Sequence, residues 1–250
     1  MKLLVDAGNT RLKWATWDGK ALAAQGAHAH GAEMDFAALF KDIPSVDAAW
    51  VASVAAHALD TLLAQALRAR FGVEPVFVRS SAAACGVRNA YAQPERLGVD
   101  RWLGLIAVHA QALAPAVIAS CGTALTLDAL AVDGTHLGGL IAPSPELMRG
   151  ALLGNTARIG DVGQAGIVEI ADNTADAVLS GSWLAAAALV ERFFKHAVAR
   201  LGVAPTLVLG GGGAAQLGAL LALPHRIDAE LVLRGLARYA DQAPAASAVG

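Results

Sequence analysis

Twice in this chain a short apolar run enters a tight turn bearing glycine and threonine and leaves it as a second strand. The first unit is Leu3-Leu4-Val5, the turn Asp6-Ala7-Gly8-Asn9-Thr10, and Arg11 to Trp17, ending at the hairpin signal Asp18-Gly19. The second is Ala116 to Ala119, the turn Ser120-Cys121-Gly122-Thr123-Ala124, and Leu125-Thr126-Leu127. Two units of one design predict an α/β chain built of duplicated halves that face each other across a cleft.

The first turn has two readings. Gly8 lets backbone come close to a ligand, and successive turn N–H groups can form an anion-binding concavity. Asn9 and Thr10 add short-range donors, Lys13 a positive charge, and Asp6 an oxygen ligand for a divalent cation. These parts suit the phosphate tail of a nucleotide. The alternative is a hairpin turn in which Asp6 and Asn9 only bond local backbone.

The chain has 250 residues, enough for one large domain or two small ones with their own cores. A net charge of −2 gives no electrostatic footprint for nucleic acid. Cys85 and Cys121 show neither metal-ligand spacing nor a disulfide framework, so a reduced, cytoplasmic setting is expected. Asp6 interrupts the N-terminal apolar run too early for a signal peptide. Trp102 to Leu127 lacks Asp, Glu, Lys and Arg, but Pro115 divides it into a buried helix and a buried strand rather than a membrane span.

Periodicity predicts strands over 2–6, 11–17 and 20–28, a helix near Met34–Lys41, the strand Ala48–Val54, a helix over His57–Phe71 and the strand Glu74–Val78. A helix begins near Asp100. After Pro115 come the second strand–turn–strand unit, a strand ending at Pro143, a helix over Pro145–Leu153 and a long helix from Asn173-Thr174 towards Ala199. The strand Thr206–Leu209 meets Gly210-Gly211-Gly212-Gly213, a helix follows, and a last helix covers about Ala229–Tyr239 before a frayed tail from Pro244. The expected domains are residues 1–114 and 115–250.

Four pieces stand in one order along nearly the whole chain: Asp6-x-Gly-Asn-Thr, Gly98-Val99-Asp100-Arg101-Trp102, Cys121-Gly122-Thr123-Ala124 and the late glycine run. The set closely resembles type III pantothenate kinase, the first enzyme of coenzyme A synthesis. The resemblance implies two RNase H-like domains of the actin and sugar-kinase type with nucleotide between them. It further implies a homodimer, ATP with Mg²⁺, and a monovalent cation, K⁺ or NH₄⁺. Carried over by residue, it makes Asp6, Gly8, Asn9, Thr10 and Lys13 the first phosphate motif, with Asp6 as the Mg²⁺ ligand. Thr123 would contact ATP phosphates, and Gly211 and Gly212 would lie against adenosine. Gly98, Val99, Asp100 and Arg101 would bind pantothenate, with Asp100 as general base. Tyr91 and Thr174 sit where the family contacts pantothenate.

Each role has a rival. Asp100 could be only the N-cap of its helix, and Thr174 could cap its own. Arg101 could form a surface ion pair, Lys13 could be solvated, Tyr91 could pack, and the glycines could be a loose loop. Ser120 stands where the family pattern begins with the aspartate associated with the monovalent cation. A hydroxyl supplies oxygen without charge, so weak K⁺ dependence is expected. The same departure keeps open a non-catalytic relative acting as a regulatory accessory protein.

No Walker A loop is present, and too little chain follows Gly213 for a dinucleotide-binding unit. The spacing of His28 and His30 puts both on one strand face, as solvated residues. Cys121 reads as a small residue filling its turn rather than an activated nucleophile.

Overall fold

In a computed structural model, which describes residues 1–29, 34–155 and 165–242, the chain divides into two units. One comprises Met1–Ala112 and the stretch from Glu230 onward; the other is Leu113–Ala229. His30 and the tail from Pro244 lie outside the described residues.

The first unit is built on strands β1 (Lys2–Ala7), β2 (Arg11–Trp17), β3 (Leu22–Ala29), β4 (Ala48–Ser53) and β5 (Val76–Phe77), in the order β3-β2-β1-β4-β5. β1 pairs antiparallel with β2 and parallel with β4. Helices α1 (Phe36–Leu39) and α2 (His57–Phe71) bury Phe36, Phe40, Leu63 and Leu67 against Leu3, Val5 and Val51. β6 (Ala83–Ala84) and β7 (Val87–Arg88) make a short hairpin, followed by a 3₁₀ turn over Pro94–Arg96 and helix α3 (Val99–Ala110).

α3 is buried nearly all round, from Arg101 through Val108, which is why its sequence lacks a polar stripe. It packs on α7 (Leu231–Gln242), whose Leu231, Leu233, Leu236 and Ala237 are buried. At the crossing Gly235 faces α3 so closely that a Cβ there would sit 2.0 Å from the Leu103 carbonyl oxygen. A boundary at 114/115 would give α7 to the second half. The fold returns it to the first, because the apolar faces of α3 and α7 cover each other.

The second unit repeats the plan with β8 (Ala116–Cys121), β9 (Ala124–Leu130), β10 (His136–Pro143), β11 (Thr206–Gly210) and β12 (His225–Ile227), in the order β10-β9-β8-β11-β12. β8 is antiparallel to β9 and parallel to β11, as β1 is to β2 and β4. Helices α4 (Pro145–Asn155), α5 (Thr174–Leu201) and α6 (Ala214–Gly218) complete it. The Asp128 carboxylate and the His136 imidazole, both buried, meet at 2.9 Å across β9 and β10.

α5 is long and apolar enough to cross a membrane. Its Trp183, Ala186, Ala187 and Val190 instead fill the second unit's core, beside Val117, Leu127 and Leu209. The charge-free stretch at Trp102–Leu127 is likewise α3, a connection, β8 and the start of β9, not one continuous helix.

Candidate active site

In the first unit the bend after β1 is closed by the Gly8 N–H, which donates to the Arg11 carbonyl at 3.0 Å. Gly8 therefore spends its amide on the hairpin, and Asn9 and Thr10 are exposed at its tip. Asp6, half-buried near the end of β1, lies in register with Lys13 on β2.

Burial, and next the negative charge of Asp100, push the Asp6 carboxyl up to about 7; Lys13 pulls it down and Glu230 adds to the rise. Two carboxylates and one ammonium thus act on the Asp6 carboxyl. Glu230 immediately precedes α7, far from Asp6 in sequence, and no spacing in the chain marks it.

The raised value fixes a pH dependence. The folded protein holds a proton on Asp6 that the unfolded chain gives up near the ordinary carboxylate pKa. Stability therefore falls as pH rises from about 4 to about 7, and the full cost persists above. Asp6→Asn is expected to unfold at a higher temperature than the parent at pH 8, by the equivalent of about 1 kcal/mol, with the gap closing towards pH 4. Melting curves across that range check it; a gap independent of pH would refute it.

At the start of α3 the N-cap is Gly98, not Asp100. Asp100 sits in the first turn with its carboxylate folded back over Gly98, where a Cβ would lie 2.6 Å from Oδ1. Only glycine at 98 leaves Asp100 in this position. Val99 packs its side chain inward, 7% exposed, so only its backbone can face a ligand.

Arg101 is buried, which excludes a surface ion pair. Its Nη1 donates to the Tyr91 hydroxyl at 3.0 Å, and the guanidinium carbon lies 5.8 Å from the Tyr91 ring centre. Sequence reading had no signal for this pairing.

In the second unit the Gly122 N–H closes its turn on the Ala124 carbonyl at 2.9 Å, as Gly8 closes the first. Behind that turn the glycine run is packed rather than loose. The Gly213 N–H donates to the Cys121 carbonyl at 2.9 Å. Gly211 has φ +81°, and a Cβ on it would meet the Cys121 carbonyl oxygen at 2.3 Å. Gly212 faces open space. Burial, with Glu146 adding, pushes the Cys121 thiol up to about 12, so it fills the turn and is no nucleophile.

Thr174 does not cap α5; the Asn173 side chain does, accepting from the Asp176 N–H at 3.0 Å. Thr174 instead lines a groove of about 940 Å³ with Pro143, Leu147, Met148, Ala177 and Ser182. The structure thus gathers Asp6, Lys13 and Asp100, with Tyr91, Gly98 and Arg101, in one unit, and Ser120, Thr123, Gly211, Gly212 and Thr174 in the other.

Among solved structures, the chain is similar to a Campylobacter jejuni protein assigned to the Baf family of transcriptional activators. That likeness has TM-score 0.61 and 17% identity, over 96% of this chain and 97% of the other. It is also similar to a Sinorhizobium meliloti protein assigned as a 2-dehydro-3-deoxygalactonokinase, with TM-score 0.52 and 15% identity, over 96% and 98%. The two likenesses show the fold: an α/β chain with two five-stranded sheets built to one plan.

A model of the type III pantothenate kinases matches residues 2–196. The chain is 46% identical over 243 residues to the type III pantothenate kinase of Xanthomonas campestris pv. campestris strain 8004, covering 97% of this chain and 98% of the relative. The chain belongs to the type III pantothenate kinase family. It is a phosphotransferase that phosphorylates pantothenate with ATP, opening coenzyme A biosynthesis.

Proposed function

We propose that this reaction runs on Asp100 as general base. It takes the proton of the pantothenate hydroxyl as that oxygen accepts the terminal phosphoryl group and ADP leaves. The observation that carries this reading is the Asp100 carboxylate, held over Gly98 at the start of α3 and coupled to Asp6. Buried Arg101, with Tyr91, Gly98 and the Val99 backbone, forms the acid-binding part of the pantothenate site, and Thr174 contributes from its groove.

Asn9, Thr10, Lys13 and Thr123 bind ATP phosphates, Gly8 leaves room for their approach, and Gly211 and Gly212 lie against adenosine. Mg²⁺ fits the residues present. Among the described residues no group of three metal-binding side chains exists, so Asp6 would hold the ion with a single carboxylate, as suits a cation that keeps water and binds with the nucleotide's phosphates. Its charge would offset the crowding of Asp6 against Asp100 and neutralise charge on the transferred group.

A homodimer is part of the proposal. Leu140, Ile141, Leu147 and Leu152 are 44–66% exposed on β10 and α4, an apolar surface a second copy would cover. The protein acts in the cytoplasm, without nucleic acid or membrane as partner.

An ADP-release assay with pantothenate tests the reading. Turnover is expected, and it changes less than about twofold when K⁺ or NH₄⁺ is replaced by a large organic cation, because neutral Ser120 holds such ions weakly. Absence of product under every cation would favour a regulatory accessory protein; a strong K⁺ requirement would refute the Ser120 argument alone.

A further inference from the structure

The Tyr91–Arg101 pair depends on a loop with little core of its own. Residues 80–98 carry two two-residue strands and one 3₁₀ turn, and most of their side chains are half-buried or exposed. Such a segment would sample many conformations unless polar contacts fix it. The Ser80 hydroxyl ties the loop's two ends by donating to the Leu97 carbonyl at 2.8 Å.

Asn89 does the rest. Its Nδ2 donates to the Ser81 carbonyl at 3.2 Å and to the Pro94 carbonyl at 3.1 Å, bridging the two limbs. Its Oδ1 accepts from the Tyr91 N–H at 3.0 Å, an Asx-type bond that sets the backbone from which the Tyr91 side chain leaves. Three of the carboxamide's four hydrogen-bonding positions are therefore used, each on loop backbone. Gln or Asp could not replace Asn89: one is a methylene too long, the other loses both donors.

We infer that Asn89 is a positioning residue, which by pinning Tyr91 against Arg101 presets the part of the site that recognises the acid substrate. The inference rests on the proposed role of Tyr91 and Arg101 in pantothenate binding. Asn89 itself touches no substrate. Its loss should leave Arg101 buried but its bond to Tyr91 no longer fixed, so the cost falls on substrate affinity and not on the phosphoryl transfer step.

The test is a double-mutant cycle. Asn89→Ala is expected to raise KM for pantothenate about tenfold, with kcat and KM for ATP within about twofold. Tyr91→Phe alone should raise the same KM about threefold to fivefold, yet add nothing in the Asn89→Ala background. Asn89→Ser, which keeps one hydroxyl for the Tyr91 N–H, should recover part of the loss. Equal rises in both KM values, or effects that multiply, overturn the inference.

Trypsin cleavage after Arg88 and Arg96 reads the clamp without substrate. Asn89→Ala should be cut several-fold faster there, with an otherwise similar melting temperature. If the parent fails to phosphorylate pantothenate, the functional reading falls; unchanged cleavage of Asn89→Ala overturns the clamp separately.

Discussion

Asp100→Asn is expected to lower kcat for pantothenate phosphorylation by about 10³-fold, with binding of ATP and of pantothenate changed only a few-fold. The amide has the carboxylate's shape, so it fits over Gly98 as Asp100 does, but it cannot take a proton. A loss of that size is about 4 kcal/mol of transition-state stabilisation. Relief of repulsion on Asp6 works the other way for stability, so the variant should fold at least as well as the parent. Steady-state rates with calorimetric binding check it. Turnover within tenfold of the parent would remove Asp100 from the role of base.

The second large effect is structural. Gly235→Ala should lower the melting temperature by roughly 5–10 °C, from a loss of about 2–3 kcal/mol. Two terms compete. Alanine is the better helix former, worth about 1 kcal/mol. Against it, the added methyl would lie 2.0 Å from the Leu103 oxygen and 2.6 Å from its carbonyl carbon. Those atoms are backbone of a helix buried on every side, and no rotamer change can move them. The clash can only be relieved by parting α3 from α7, which unpacks Leu231 and Leu236. Thermal unfolding decides it, and an unchanged or raised midpoint would refute the argument.

The sequence made much of this legible. The paired strand–turn–strand units correspond to β1–β2 and β8–β9, and the helix predicted over His57–Phe71 has those bounds. β6, β7 and β12 were missed because two or three residues carry no readable period. The strand read over Glu74–Val78 shrinks to two residues, Val76 and Phe77. The membership of α7 in the first unit was invisible for another reason: its amphipathic pattern says that it packs, not on what.

The same limit applied to the site. Asp6, Gly98 and Asp100 stood out through local motifs. Asn89 and Glu230 did not, since an asparagine in a loop and an acid before a helix are ordinary residues until the fold sets Asn89 against the Ser81 and Pro94 carbonyls and lets the charge of Glu230 reach Asp6. Nor could spacing reveal that Arg101 is buried, because its neighbours in α3 read as apolar whichever way the helix faces.

The position of α7 has a consequence for how the protein is made. A ribosome delivers the second unit in full before Leu231 emerges, so Leu113–Ala229 can fold while α3 still lacks its cover. The half that bears Asp6 and Asp100 is begun first and finished last. A nascent chain cannot assemble that half early and act on its own, and the exposed face of α3 is what a chaperone would meet in the interval.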